Sequence, residues 1–207
     1  MINTRPPAVA GTFYPGDPDT LSATVDRFLA DADEHAGIQP KALIVPHAGY
    51  VYSGSTAATA YAALKPWAKT IRRVILLGPT HRVAVEGIAL PEVEAFATPL
   101  GSIRLDAQAI ASIAELPQIV FSNHVHAFEH SLEVHLPFLQ RVLEQFTLVP
   151  LAVGDAPPEV VAEVLELLWG GPETLIVVSS DLSHFLSYAT AQQVDGNTCR
   201  HILQFDT

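Results

Sequence analysis

A single cysteine, Cys199, leaves the chain with no internal disulfide and fits a reducing compartment, so the cytoplasm is the expected location. Basic residues are scarce: 11 Lys and Arg face 22 Asp and Glu, a net charge of -11. That balance excludes nucleic acid as a partner, because displacing counterions from phosphates needs a basic face. It disfavours acidic membrane surfaces for the same electrostatic reason. No apolar run approaches the roughly 20 residues that span a bilayer. The opening stretch MINTRPPAVAG also lacks the apolar core of a secretory signal. There is no G-x-S-x-G elbow, no glycine-rich phosphate loop and no HExxH zinc motif. Repeats, low-complexity segments and linkers are missing as well, so residues 1–207 read as one domain.

What is present is apolar patterning of two kinds. Ala42 to Val45, Arg73 to Leu77 and Thr174 to Ser179 hold continuous apolar runs of strand length. Phe146 to Val153 is a further strand, and Val85 to Leu90 and Ile119 to Ser122 are weaker ones. Helical spacing marks Leu21 to Ala32, Ser55 to Leu64, Ala107 to Glu115, Leu132 to Gln145, Pro158 to Leu168 and Ala189 to Leu203. Asp17 or Asp19 is placed to cap the first helix. RPPAVAGTFYPGDPDT, rich in turn formers, reads as an extended arm. Strands alternating with helices, the strongest of them apolar throughout, predict an α/β sandwich with a mostly parallel or mixed sheet flanked by helices.

Three of the strand ends present a histidine. The strand in KALIVPHAGYVYSG ends just before His47, RVILLGPTH ends at His81, and LIVVSSDLSH ends at His184. Ligands of open α/β sheets bind beyond the carboxyl ends of strands, so these turns can converge on one pocket. Imidazole is the commonest side-chain ligand for transition metals, and two histidines with an anionic ligand suit redox-active iron or copper. The alternative is that each histidine only hydrogen-bonds its own loop. Asp181 and His184, three residues apart, also offer a general-base pair, although an aspartate there can equally cap the following turn. Tyr50 and Tyr52 could line a pocket or simply pack.

A second cluster lies in NHVHAFEHSLEVHLPFL, with His124, His126, His130, Glu133 and His135. Helical geometry would put His130 and Glu133 on one face and His135 on another. The group reads as a ligand pair, an acid/base pair, residues supporting the strand-end site, or a polar helix start.

Taken together, RPPAVAGTFYPGDP, VPHAGYVYSG, LLGPTH, EHSLEVHLPFL and SSDLSHF resemble the Memo family, also called AmmeMemoRadiSam system protein B. The resemblance runs from Arg5 to about Phe185 and implies an α/β fold like that of the class III extradiol dioxygenases. It implies a metal pocket at His47 and His81, for iron or copper, with Asp181 and His184 beside it. In the dioxygenases a histidine comparable to His184 acts as acid or base. His130, Glu133, His135 and Tyr50 are expected around the pocket. The implied functions are an oxidoreductase related to those dioxygenases or a non-catalytic module. The implied partners are a small molecule or peptide, with AMMECR-type and radical SAM proteins in prokaryotes. The family's third pocket residue, a cysteine in a Cys-Gly-x-x-Pro-type segment, has no match here. Cys199 is followed by Arg200 and His201. An incomplete C-terminal segment, a two-histidine site and uncovered core surface are therefore expected.

Overall fold

A computed structural model describes residues 2–33 and 37–205. In chain order its first elements are β1 (Thr4–Arg5), α1 (Pro18–Asp31), β2 (Ala42–Val45), α2 (Tyr50–Ala62), β3 (Arg73–Pro79), β4 (Ile88–Leu90), β5 (Ala95–Thr98) and β6 (Gly101–Arg104). There follow α3 (Ala107–Ile113), β7 (Ile119–Phe121), α4 (Asn123–Ala127), α5 (Leu136–Val142), β8 (Thr147–Val153), α6 (Pro158–Leu168), β9 (Thr174–Ser179) and α7 (Tyr188–Gln204).

Six strands form one sheet in the order β2-β9-β3-β8-β4-β7. All neighbours are parallel except β4 and β8, so the expected mostly parallel or mixed sheet is present. Alternation along the central strands sorts the core into two layers. Val74 and Leu76 of β3 join Leu21, Val25, Ala58, Tyr61 and Phe138 on the face covered by α1, α2 and α5. Ile75 and Leu77 join Ile113, Val164 and Leu168 on the face covered by α3 and α6. Both faces are therefore dry, which is why these strands read as unbroken apolar runs.

In a smaller sheet, β1-β5-β6, only β6 is legible in the sequence, as the extended stretch TPLGSIRLD; β1 contributes only Thr4 and Arg5, opposite Ala95 and Phe96. Two helices also start elsewhere than expected. α2 begins at Tyr50 with Gly49 before it, so the two tyrosines lie in its first turn rather than on a preceding loop. The Leu132 to Gln145 helix shortens to α5, preceded by a single 3-10 turn, Glu133–His135. Pro137 lacks an N–H and so belongs at a helix start, as it does here. Asp17 caps α1, accepting from the Thr20 N–H at 2.8 Å.

The N-terminal arm is locked down by one buried ion pair. Glu133 is fully buried and accepts four hydrogen bonds: from Arg5 Nη1 at 2.6 Å, Ala8 N at 2.7 Å, Val9 N at 2.9 Å and Tyr14 Oη at 2.6 Å. Arg5 in turn donates to the carbonyls of His126 and Glu129, at 2.6 and 2.7 Å, and its guanidinium lies 4.9 Å from the Phe96 ring centre. Burial and the adjacent Glu133 carboxylate push the Tyr14 hydroxyl pKa well up. α7 contrasts with this: none of its residues is buried, and Phe185, Tyr188, Leu203 and Phe205 around it are exposed. Among the described residues no helix is long and apolar enough to cross a membrane.

Removing one member of a fully buried ion pair strands the other charge. Glu133→Ala should therefore lower unfolding stability by about 3–5 kcal/mol in urea titrations. A loss below about 1 kcal/mol would show that the arm is held by something other than this pair.

Candidate metal centre

Strand order explains how distant residues meet. β9 lies between β2 and β3, all three parallel, with Val45 level with Ser179 and Leu77 level with Val178. Their carboxyl ends form one edge of the sheet, and the turns after β2 and β3 deliver His47 and His81 to it. The third histidine comes from outside the strands. His130 lies in the connection between α4 and the 133–135 turn, which crosses the same edge. One ring nitrogen from each of His47, His81 and His130 lies within 4.8 Å of the others. Ring centres are 5.2 Å apart for His47 and His81, 4.6 Å for His81 and His130, and 5.7 Å for His47 and His130.

Each ring is aimed by a separate device. His81 donates through Nδ1 to Glu129 Oε1 at 2.9 Å, and its backbone N–H reaches Glu129 Oε2 at 2.6 Å. The same carboxylate accepts the backbone N–H groups of His130 and Ser131, each at 2.8 Å. A carboxylate behind one ring nitrogen leaves the other as the lone-pair donor and raises its basicity. Burial alone would raise the Glu129 pKa, but the His81 ring, the Ser131 N–H and the His81 N–H outweigh it and hold it at about 2. His47 contacts Ser179 Oγ through Nδ1 at 2.6 Å. Its Nε2 is buried and without a hydrogen-bond partner, as is Nδ1 of His130. Burial, above all, pulls the His47 pKa down to about 4 against the opposing pull of Asp181, and His81 and His130 lower it further. Burial likewise lowers the pKa of His130. Both rings thus offer free lone pairs at neutral pH, the form in which imidazole binds a cation.

Asp181 stands at the margin. Its Oδ1 accepts the N–H groups of His47 and Ala48, at 2.6 and 3.2 Å, and its Oδ2 lies 3.7 Å from His47 Nε2. His184 is exposed, with Nε2 3.9 Å from Asp181 Oδ2, too long for a hydrogen bond. Leu182 and Phe185, on either side of the Ser183–His184 pair, have φ of 60° and 61°, a left-handed backbone rare outside glycine and concentrated at functional sites.

The remaining expected residues lie around or away from the cluster. His135 sits behind Ser179, bonded through Nε2 at 2.9 Å and one layer away from the cluster. Glu133 turns to the N-terminal arm. Residues 128–132 are not helical, so it does not share a helical face with His130. Tyr50 is buried, donates to the Val134 carbonyl at 2.7 Å and packs on Phe138 at 5.0 Å between ring centres. His124 is exposed, and His126 bonds the Ala89 carbonyl at 2.9 Å. Sequence reasoning missed Glu129. Its one signal was a carboxylate adjoining His130 in EHSLEVHLPFL. Gly78 was missed too: a Cβ there would stand 2.9 Å from Ser179 Cβ and 3.0 Å from Ser131 Oγ, so only glycine lets β3 pass the residues behind the centre.

Two buried histidines also set the acid limit of the fold. Burial lowers His126 from 6.5 to about 4, despite its bond to the Ala89 carbonyl, and His135 to about 3. Between pH 6.5 and 4 the unfolded chain takes up protons that the folded chain refuses, so stability falls as pH falls. By pH 4 each should have withdrawn on the order of 3 kcal/mol. Urea midpoints measured from pH 7 to pH 4 should drop steadily below pH 6.5. A flat profile would mean that these rings are protonated in the folded protein.

Comparison with known proteins places the chain in a family. The family described as Memo-like protein matches residues 5–207. A MEMO1 family protein of Aquifex aeolicus is 37% identical over 202 residues, covering 94% of this chain and 72% of the relative. One from Archaeoglobus fulgidus is 34% identical, covering 98% and 76%. Protein MEMO1 of Danio rerio is 31% identical, covering 95% and 69%. With a family match over residues 5–207 and relatives 31–37% identical over most of their length, the chain belongs to the Memo family.

Proposed function

We propose that His47, His81 and His130 hold a redox-active divalent cation, iron or copper, and that the protein is a cytoplasmic metal-dependent oxidoreductase related to the extradiol dioxygenases. The observation that carries this reading is the buried Nε2 of His47, which has no hydrogen-bond partner and faces two further imidazoles. A buried polar atom left unpaired costs about 1–3 kcal/mol, and a ligated cation removes that cost. Three neutral nitrogens suit iron, copper or zinc; oxygen-rich sets suit magnesium or calcium. His130 supplies a third nitrogen beyond the two-histidine site expected from the sequence.

A bound iron or copper would supply one-electron chemistry and Lewis acidity at this edge. The chain's own residues would do the rest. Glu129 orients the His81 ring through Nδ1 and turns its other nitrogen toward the centre. Asp181 fixes the His47 turn through two backbone N–H groups and leaves Oδ2 free toward the centre. His184, exposed beside it, is positioned to accept or return a proton from a small molecule entering at this edge. His81 is open to solvent and His47 is not, so entry is from the His81 side.

Metal content by mass spectrometry, on protein purified without chelator, tests the reading. Wild type should carry about one iron or copper per chain, the His47→Ala, His81→Ala double variant none, and His130→Ala at most a tenth of wild type. Wild type without metal, or equal metal in the double variant, would overturn it.

A further inference from the structure

Behind His47 lies a chain of three buried polar side chains that the centre described above does not itself use. Tyr61 Oη, from α2, is 2.8 Å from His135 Nδ1. His135 Nε2 is 2.9 Å from Ser179 Oγ, at the end of β9. Ser179 Oγ is 2.6 Å from His47 Nδ1 and 2.7 Å from the carbonyl of Ser131. Tyr61, His135 and Ser179 are each at most 3% exposed, so water does not complete their hydrogen bonding.

One assignment of protons satisfies all four contacts at once. The Ser131 carbonyl can only accept, so the single hydroxyl hydrogen of Ser179 points to it. Ser179 Oγ then has only lone pairs for its other two neighbours, and both imidazoles must donate to it. His135 therefore carries its proton on Nε2. Its Nδ1 becomes an acceptor, which the Tyr61 hydroxyl satisfies. His47 carries its proton on Nδ1, and its Nε2 lone pair is free. Burial keeps His135 neutral, in agreement with this assignment. With one donated and two accepted bonds, Ser179 is at capacity, and the absent side chain of Gly78 lets it sit there. The network ends on a backbone carbonyl at one end and a buried phenol at the other, so it holds protons in place instead of carrying them.

We propose that Ser179, His135 and Tyr61 are positioning residues that lock His47 as its Nδ1–H tautomer and so present its Nε2 lone pair to the cation between His47, His81 and His130. This rests on the metal reading above, but the tautomer can be read without any metal. A histidine whose tautomer is set by a polar partner loses about 10–100-fold in metal affinity when that partner is removed. The two ligands would thus be prepared by different means, His81 by a carboxylate and His47 by a neutral hydroxyl held in a closed network.

The test joins nitrogen-15 NMR of the imidazoles in metal-free protein with cobalt(II) titration of wild type, Ser179→Ala, Ser179→Thr and Tyr61→Phe. Metal-free wild type should show His47 protonated at Nδ1 and His135 at Nε2. Ser179→Ala should give His47 a mixture of tautomers and bind cobalt at least tenfold more weakly. Ser179→Thr keeps the hydroxyl and should retain the wild-type tautomer. Tyr61→Phe, which removes one oxygen from the far end, should fold normally and weaken cobalt binding severalfold. Should Ser179→Ala fail to fold, Tyr61→Phe alone carries the test. His47 protonated at Nε2 in metal-free wild type would overturn the proposal, as would cobalt affinity unchanged in every folded variant. The wild-type tautomers as assigned, with no cobalt uptake by wild type, would overturn the metal reading and leave the tautomer assignment standing.

Discussion

The buried contact between Arg5 and Glu133 is the constraint from which the rest of the site follows. Residues 128–132 form no regular element, so the backbone there has no helical ladder to hold it. Arg5 donates to the Glu129 carbonyl within this segment and to the His126 carbonyl just before it, while its charge is matched by Glu133. That segment carries both Glu129 and His130. The N-terminal arm, far from the site in sequence, thereby fixes the carboxylate behind one candidate ligand and the ring of another. It also explains why an arm rich in proline and glycine is ordered against the body: its Ala8 and Val9 N–H groups end on the same carboxylate.

Around the centre, polar groups are buried in number but nearly all are paired. Glu129 takes four hydrogen bonds and Glu133 takes four. Ser179 is filled, and His135 has a partner on each nitrogen. Networks satisfied to this degree are rigid, because any rotation exposes an unpaired group at a cost of about 1–3 kcal/mol. Against that background two buried nitrogens without a hydrogen bond stand out: Nε2 of His47, and Nδ1 of His130, which lies 3.4 Å from the Glu129 carboxylate. The strained loop with Leu182 and Phe185 brings Asp181 and His184 to the rim of the centre without closing it.

Much of the frame was legible in the sequence for a simple reason. β3 and β9 are buried on both faces, so they are apolar throughout and cannot be mistaken for amphipathic elements. With β2 parallel beside β9, that order places His47 and His81 on one edge. The elements that escaped are those whose residues answer to distant partners. β1 is two residues long and exists only because β5 lies beside it. Glu129 gains its role from a loop conformation that joins it to His81, 48 residues away. Helical spacing drew attention to Glu133 instead, but the helix starts only after the 133–135 turn, and that carboxylate faces the arm. His130 was legible as part of a polar cluster, while its approach to the strand-end histidines depends on how the α4 connection crosses the sheet edge.

The central claim is that three imidazoles share one cation. X-ray absorption at the edge of the bound metal, on protein purified without chelator, reads this directly. The account expects about three imidazole nitrogens at roughly 2.0–2.1 Å, with the remaining positions filled by oxygen. A first shell of oxygen alone, without the outer-ring scattering of histidine, would contradict it.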